Sequence, residues 1–401
     1  MSETEEPPVS IGAALLLLAA VHFVNLLDFM MVMPMGPDFA SALGIPVSHL
    51  GIVGGSYTAS ATVVGLAGSV FLDRFERRGA LTLFVAGLGL STMAAALATG
   101  TASLVAARIA AGAFGGVAGT LCFSIVTDLV PESSRGRATA IVASGFSLAS
   151  IFGVPAGLEM ARRGGWRTPF LLVGVIALAL AGAARLLLPR VGKHLTDRVE
   201  GALPMDRRVF WAFAAFGCTI FGNFMLVPNL SAYVQFNLGF PRAHLGWLYL
   251  AGGLVSLATM RGAGVWTDRS RALWPVSVGT AIVTVSLIGG ATLVPPLIQP
   301  LAFFTLFMSA NSARWVAISA LATRVPPPSA RARFLSAQNS FAHAASAAAA
   351  FCSAAFLSSD PSGRLVGMPT LAAAAVLLGL GAPAAVWRLE RLLGPVERVT
   401  T

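Results

Sequence analysis

The chain has 401 residues, 56% of them hydrophobic and only 11% charged, with a formal net charge of +10. Soluble chains carry about 25% charged residues, and no water-soluble core of this length buries so much apolar surface, so a soluble globular protein is excluded. In lipid every backbone polar group must be paired internally, which leaves helices or a closed barrel. The apolar runs are about 20 residues long and show little period-2 alternation, which selects helices.

The N-terminus, MSETEEPPVS, is acidic and has no basic n-region, so no cleaved signal peptide is expected. Hydropathy then predicts twelve helices in chain order: 11–35, 48–72, 80–99, 102–130, 138–161, 167–188, 208–235, 244–266, 275–294, 297–324, 333–358 and 370–388. The polar segment 189–207 divides the chain near its middle. The expected organisation is a six-helix bundle over 1–188, a central loop over 189–207 and a second six-helix bundle over 208–401. The fold class is an all-α integral membrane protein.

Most of the 27 basic residues fall in loops on the side of the N-terminus, including Arg74, Arg77, Arg78, Arg135, Arg137, Arg269 and the central loop. The positive-inside rule therefore puts both termini in the cytoplasm. The positive charge reads as topology, so no nucleic acid is expected. Cys122, Cys218 and Cys352 fall inside predicted spans and imply no disulfide framework. No metal-ligand spacing is visible, and no cofactor is expected.

Within the first helix, Asp28 lies deep in an apolar run whose other strongly polar residues are His22 and Asn25. A carboxylate at a helix centre costs roughly +2.5 to +3.5 kcal/mol on insertion scales. The other acids lie in tails, in loops or at helix ends. His22, Asn25 and Asp28 follow each other at i, i+3, i+6 and form one polar stripe. Further along the chain, Arg108 falls within the fourth helix, and Asn223 and Asn229 flank Pro228 on the seventh. Arg314 and Trp315 fall inside the tenth, and Asn339 and His343 share a face of the eleventh at i, i+4. Intramembrane polar groups face a cavity or the bundle interior, so these are candidate cavity residues; helix–helix hydrogen bonding is the alternative for each. For Trp315, stacking on a flat substrate and core packing stand as equals.

The two halves repeat at one offset, 195 residues. DFM at 28–30 meets NFM at 223–225, HLG at 49–51 meets HLG at 244–246, and DR at 73–74 meets DR at 268–269. Each HLG follows a proline, Pro46 or Pro241. At the symmetric position of Asp28 stands Asn223, which has nearly the same shape without the charge. Asp28 thus supplies something an amide does not, and a titratable proton is the ready candidate; a carboxyl of packing value only is the alternative.

Local motifs agree with this duplication. SVFLDRFERR (69–78) resembles the G-x-x-x-D-R-x-G-R-R/K loop motif of the major facilitator superfamily, departing at Ser69 and Glu76. Its repeat GVWTDRSR (264–271) keeps the first glycine. RIAAG (108–112) is similar to the fourth-helix motif, and GFSLASIFGVPAG (145–157) resembles the fifth-helix motif of bacterial twelve-helix drug:proton antiporters, with GWRTPF (165–170) after it. The resemblance implies two pseudo-symmetric six-helix bundles and a substrate site at the half interface.

It further implies that the first and fourth helices line the cavity, so Asp28 and Arg108 are the expected proton-coupling pair, meeting directly or through water. A structural tie from Arg108 to backbone carbonyls is the alternative. Asp73, Arg74, Arg77, Arg78, Asp128, Arg135 and Arg137, with Asp268 and Arg269 in the repeat, are expected to form a cytoplasmic gate; plain anchoring is the alternative. Gly145, Gly153, Pro155 and Gly157 are expected to permit close packing and a helix bend.

The expected activity is secondary active transport in a bacterial inner membrane, by proton-coupled efflux of a small organic or amphipathic compound through alternating access. Uptake or export of a metabolite anion or zwitterion is the alternative, and a membrane-embedded enzyme a distant one. The expected partners are a small-molecule substrate, protons and the bilayer, with a monomeric chain.

Overall fold

The computed structural model describes residues 10–71, 75–131, 134–189, 205–293, 298–327 and 331–394. It is helical almost throughout. In chain order the long helices are α1 (Ile11–Val32), α2 (Leu50–Phe71), α3 (Arg77–Ala96), α4 (Thr101–Leu129), α5 (Arg135–Gly164) and α6 (Arg167–Leu187). They continue as α7 (Arg207–Asn237), α8 (Leu245–Arg269), α9 (Leu273–Thr292), α10 (Pro300–Ala322), α11 (Arg331–Phe356) and α12 (Met368–Leu393). A 22-residue helix such as α1 is about 33 Å long, enough for a hydrocarbon core of about 30 Å. All but α11 are apolar enough to count as candidate spans among the described residues. α11 is Ala- and Ser-rich and starts at Arg331, which lowers its hydropathy without shortening it.

Several boundaries differ from the hydropathy reading, and proline explains the clearest. The first span was expected to run to residue 35. α1 instead stops at Val32, because Pro34 cannot donate to the helical ladder, and a short helix, Gly36–Leu43, follows. In α7 the regular helix ends at Phe224 and restarts at Val227 with Pro228 in its first turn. α5 passes through a π-turn at Ala149–Gly153 that ends two residues before Pro155. A widened turn is one way a helix absorbs a residue without an N–H. A hairpin of two-residue strands, Ser358–Ser359 against Leu365–Val366, caps the loop between α11 and α12.

The chain forms two compact units: Met1–Ile45 with Ser56–Glu200, and Pro46–Gly55 with Gly201–Thr401. In the first unit α3 packs on α4 and α6, while α1 packs on α4, α5 and α6. In the second, α9 packs on α10 and α12, while α7 packs on α10, α11 and α12. The same pairings thus recur six helices later. Local structure repeats too. Gly44 and Gly239, 195 positions apart, both take positive φ (64° and 69°), a backbone region that favours glycine. Pro46 and Pro241 each precede a 3₁₀ turn that opens the next helix.

The second unit is filled by an aromatic and aliphatic core around Phe216, Phe334, Leu321 and Leu389. In the first unit a smaller cluster of Tyr57, Leu88 and Ala111, with Phe29 and Phe114 against it, lies beside the charged residues described next.

Candidate functional site

Asp28 and Arg108 meet directly. Arg108 Nη1 donates to both Asp28 oxygens at 3.1 Å, and Nη2 lies 3.5 Å from the Asp28 backbone carbonyl. Both side chains are sealed from solvent, Asp28 at 0% and Arg108 at 1% exposure. The α1 carboxylate and the α4 guanidinium therefore neutralise each other inside the first unit. Taking two charges out of water costs several kcal/mol per ion, and only good geometry with further hydrogen bonds offsets it.

Those further partners come from α2 and α3. Thr92 Oγ1 donates to Asp28 Oδ1 at 2.8 Å and also stands 2.8 Å from the Leu88 carbonyl. The Tyr57 ring lies under the guanidinium, 4.6 Å from its central carbon to the ring centroid, a cation–π contact. The Tyr57 hydroxyl donates to Asn25 Oδ1 at 3.4 Å, so the second residue of the α1 stripe joins the same cluster. His22, the third, lies edge-on to Phe123 with ring centroids 4.9 Å apart. The α4 backbone must come close for this to work. A Cβ at Gly112 would collide with the Tyr57 backbone carbonyl, and one at Gly115 would collide with the Tyr57 hydroxyl and stand 2.7 Å from Asn25 Oδ1. Neither Tyr57 nor Thr92 stands out in the sequence. Both are uncharged and common in spans, and only their placement around the ion pair gives them meaning.

The glycines of α5 lie against the other side of α1. A Cβ at Gly145 would sit 3.0 Å from the Phe23 amide nitrogen, and one at Gly153 would sit 2.8 Å from Leu27 Cδ1. Gly157 is looser, with Met31 Cβ at 3.7 Å. Two of the three thus bring α5 close to the helix that carries Asp28.

In the second unit the candidate residues are arranged differently. Asn223 is half-buried, and its Oδ1 has no hydrogen-bond partner among the described residues. Asn229 is fully buried and donates to Ser353 Oγ at 3.0 Å. Arg314 is 2% exposed; its Nη2 donates to Thr219 Oγ1 at 3.3 Å and its Nη1 to Asn311 Oδ1 at 3.4 Å. It forms no ion pair among the described residues, and a Cβ at Gly279 would meet its Cγ at 2.7 Å, so it lies pressed against α9. Trp315 is 40% exposed and edge-on to Phe216 at 5.3 Å. Asn339 is exposed and His343 half-buried.

Of the expected gate residues, Asp73 and Arg74 lie outside the described residues. Arg77 of α3 pairs with Asp128 at the end of α4 at 2.7 Å and also donates to the Ser124 carbonyl. Arg78 is buried and donates to the Leu188 carbonyl at 3.1 Å. Glu76, where the loop motif departs from its glycine, caps α3 by accepting from the Arg78 and Gly79 amides. Arg135 donates to the nearby Val130 carbonyl and Arg137 is exposed. Asp268 and Arg269 are exposed at the end of α8. Close to them an unforeseen pair, Arg271 and Glu390, bridges the α8–α9 turn to α12 at 2.7 Å.

Comparisons with known proteins agree with this architecture. A protein named "Chloramphenicol resistance protein" from Streptomyces lividans is 29% identical over 324 residues, covering 77% of this chain and 79% of its own. A "Chloramphenicol efflux pump" of Mycobacterium tuberculosis (strain CDC 1551 / Oshkosh) is 29% identical over 280 residues, 68% of this chain and 65% of its own. An uncharacterized MFS-type transporter of Bacillus subtilis (strain 168) is 29% identical over 237 residues, and that match spans only 58% of the Bacillus protein. The crystal structure of a D-xylose-proton symporter superposes with a TM-score of 0.77 at 15% identity, covering 96% of this chain and 99% of that one. A bacterial homolog of the human lysosomal transporter Spinster, inward-facing and occupied, superposes at 0.74 with 18% identity and 95% and 97% coverage. The sequence profile of the Major Facilitator Superfamily matches residues 18–350, and the chain belongs to that family of membrane transporters.

Proposed function

We propose that the protein is a proton-coupled exporter of a small, uncharged organic compound, working by alternating access with the Asp28–Arg108 pair as its proton-carrying element. The observation that carries this reading is the buried pair itself. Apart from forming an ion pair, a carboxylate sealed at 0% exposure in a membrane helix has one use that its amide counterpart Asn223 lacks, which is to take up and lose a proton.

The partners suit both protonation states. With Asp28 ionised, Arg108 neutralises it and Thr92 donates to it. With Asp28 protonated, the carboxyl can donate to Thr92 Oγ1, whose single proton turns to the Leu88 carbonyl 2.8 Å away. Arg108 then keeps the Tyr57 ring and the Asp28 backbone carbonyl as partners. A conformational change that alters the Asp28–Arg108 separation would shift the balance between these states, and by reciprocity protonation would shift the conformational balance.

The same charges bear on the substrate. The one deep acid is already neutralised by Arg108, and the deep cation Arg314 has no acidic partner among the described residues. A lipophilic cation finds no free deep carboxylate among the described residues. The relatives named for chloramphenicol efflux and resistance support a neutral, amphipathic molecule. A second reading, export of a sugar, is favoured by a "Probable sugar efflux transporter" of Pasteurella multocida, 28% identical over 166 residues. That match covers 41% of this chain and 40% of its own.

In this reading the chain works as a monomer in a bacterial inner membrane with both termini cytoplasmic. Its two halves are 1–188 and 208–401, joined by the segment 189–207. His22, Asn25, Asn223, Asn229, Arg314, Trp315, Asn339 and His343 are candidate cavity groups. Arg77 with Asp128, and Asp268 with Arg269, are candidate elements of the cytoplasmic gate.

The test is transport in proteoliposomes under an imposed pH gradient, with chloramphenicol, a neutral sugar and a quaternary ammonium compound as probes. Gradient-driven movement of chloramphenicol that is lost in Asp28→Asn supports the proposal. Movement of the sugar alone moves the protein to the second reading. Transport of the quaternary compound, or gradient-driven transport unchanged in Asp28→Asn, overturns it.

A further inference from the structure

The second unit holds a pocket of about 800 Å³ where α8 and α10 end, α9 begins and α12 finishes. Four arginines line it, Arg269, Arg271, Arg324 and Arg391, against two acids, Asp268 and Glu390. Glu390 is already occupied: it pairs with Arg271 at 2.7 Å and accepts the Leu273 amide at the start of α9. Arg324 reaches the Gly394 carbonyl at a long 3.4 Å, and Arg391 rests on the Trp387 ring. Arg269 forms no ion pair among the described residues. The pocket therefore carries an excess of positive charge that its own carboxylates do not cancel.

At the positions that the internal repeat relates, the acids of the first unit are not kept in the second. In the first unit Glu76 and Asp128 supply two acids at this end, and Asp128 neutralises Arg77. At the offset of 195, Glu76 becomes Arg271, Asp128 becomes Thr323 and Leu129 becomes Arg324. Arg77 and Arg78 become Ala272 and Leu273. In the first unit Arg77 is held by Asp128 and the Ser124 carbonyl, and Arg78 by the Leu188 carbonyl. The second turns cations towards an open pocket.

We infer that this pocket binds a phosphate-bearing anion, supplied by the headgroup of an anionic phospholipid. Three observations choose the lipid. The pocket lies at the ends of apolar, membrane-length helices. Exposed tryptophans flank it, Trp274 in its wall at 56% exposure and Trp266 one turn before, as at a membrane interface. Its volume far exceeds that of a bare phosphate ion, and Ala320 and Leu321 give part of its wall an apolar surface suited to a glycerol and the start of an acyl chain. Basic residues beside a bilayer attract anionic headgroups, each contributing about a 5-fold gain in binding.

The test uses the purified full-length protein, delipidated in neutral detergent and titrated separately with phosphatidylglycerol, phosphatidylcholine and inorganic phosphate. Bound lipid is counted by native mass spectrometry and the thermal midpoint is followed. Phosphatidylglycerol should be retained in preference to phosphatidylcholine and should raise the midpoint. Arg269→Gln and Arg324→Gln should each weaken its retention about 5-fold. Thr323→Asp, which restores the acid of the first unit without removing an arginine, should weaken it as well and decides the matter if either arginine variant does not fold. Equal retention of the two lipids, or unchanged retention in the variants, overturns the inference. Equal protection by millimolar inorganic phosphate overturns the lipid assignment and makes the soluble anion the ligand.

Discussion

Thr92 holds its hydroxyl 2.8 Å from Asp28 Oδ1 and equally 2.8 Å from the Leu88 carbonyl, with one proton to serve both. That geometry lets α3 answer a change in the protonation of α1 by turning a single hydroxyl. Thr92→Val keeps the side-chain volume and removes the switchable hydrogen bond. Gradient-driven transport should fall, while stability drops by what one hydrogen bond to a charged group represents, about 1.5–3 kcal/mol, read as a lowered thermal midpoint. Full gradient-driven activity in this variant would make Thr92 a packing residue.

Asp28→Asn makes the first unit match the second at the symmetric position. The amide keeps the shape and its oxygen can still accept from Arg108 or Thr92, so the fold should survive, at a cost in stability because Arg108 loses its counter-charge. Counterflow exchange of substrate should persist, because exchange needs rocking but no net proton movement, and transport driven by a pH gradient should be lost. Loss of both modes together with thermal stability would show the carboxyl to be structural.

Arg108→Gln leaves an uncompensated carboxyl in the sealed site, as Asp28→Asn leaves an uncompensated guanidinium, so each single change should lower stability. Breaking one partner of a buried pair costs about 3–5 kcal/mol. The double variant Asp28→Asn/Arg108→Gln should recover part of that loss, since residues in contact couple non-additively. A double variant that loses the plain sum of the two single losses would mean that the pair contributes nothing as a pair.

Gly112→Ala should destabilise the first unit by about 1–3 kcal/mol, the cost of overpacking, because its Cβ would overlap the Tyr57 backbone. Gly182→Ala, in α6 with open space around it, should be neutral or slightly stabilising. Thermal unfolding in detergent compares the two, and equal midpoints would show that the α4 backbone yields to Tyr57.

In the loop between α11 and α12, Asp360 accepts from the Ser362 hydroxyl and from the Ser362 and Arg364 amides. The Ser362 hydroxyl, first, and the two amides hold the Asp360 carboxyl below its usual range of 3.8. A depressed carboxyl contributes at full strength above its unfolded pKa and loses that contribution only as the pH falls through the lower folded value. The turn should therefore keep its amide exchange protection from pH 8 down to pH 5. Asp360→Asn should leave the pH profile of transport in that window unchanged, and a shifted profile would tie the loop to coupling.

Composition, hydropathy and the 195-residue repeat carried the fold, because spanning a bilayer demands long apolar helices whatever packs against them. Asp28 was legible for the same reason, since a carboxylate stands out in an apolar run, and Arg108 stood out as its cation. Tertiary structure alone decided that the two meet at 3.1 Å, and that Thr92 and Tyr57 complete their shell. A threonine or tyrosine in a span has no signature in one dimension, and its role depends on which neighbour it faces across a helix interface. Arg314 illustrates the converse. Its charge marked it in the sequence, and packing placed it between Thr219 and Gly279 with no acid to match it among the described residues. The Arg271–Glu390 pair joins residues 119 positions apart in the chain, and only the packing of α12 beside the start of α9 brings them within reach.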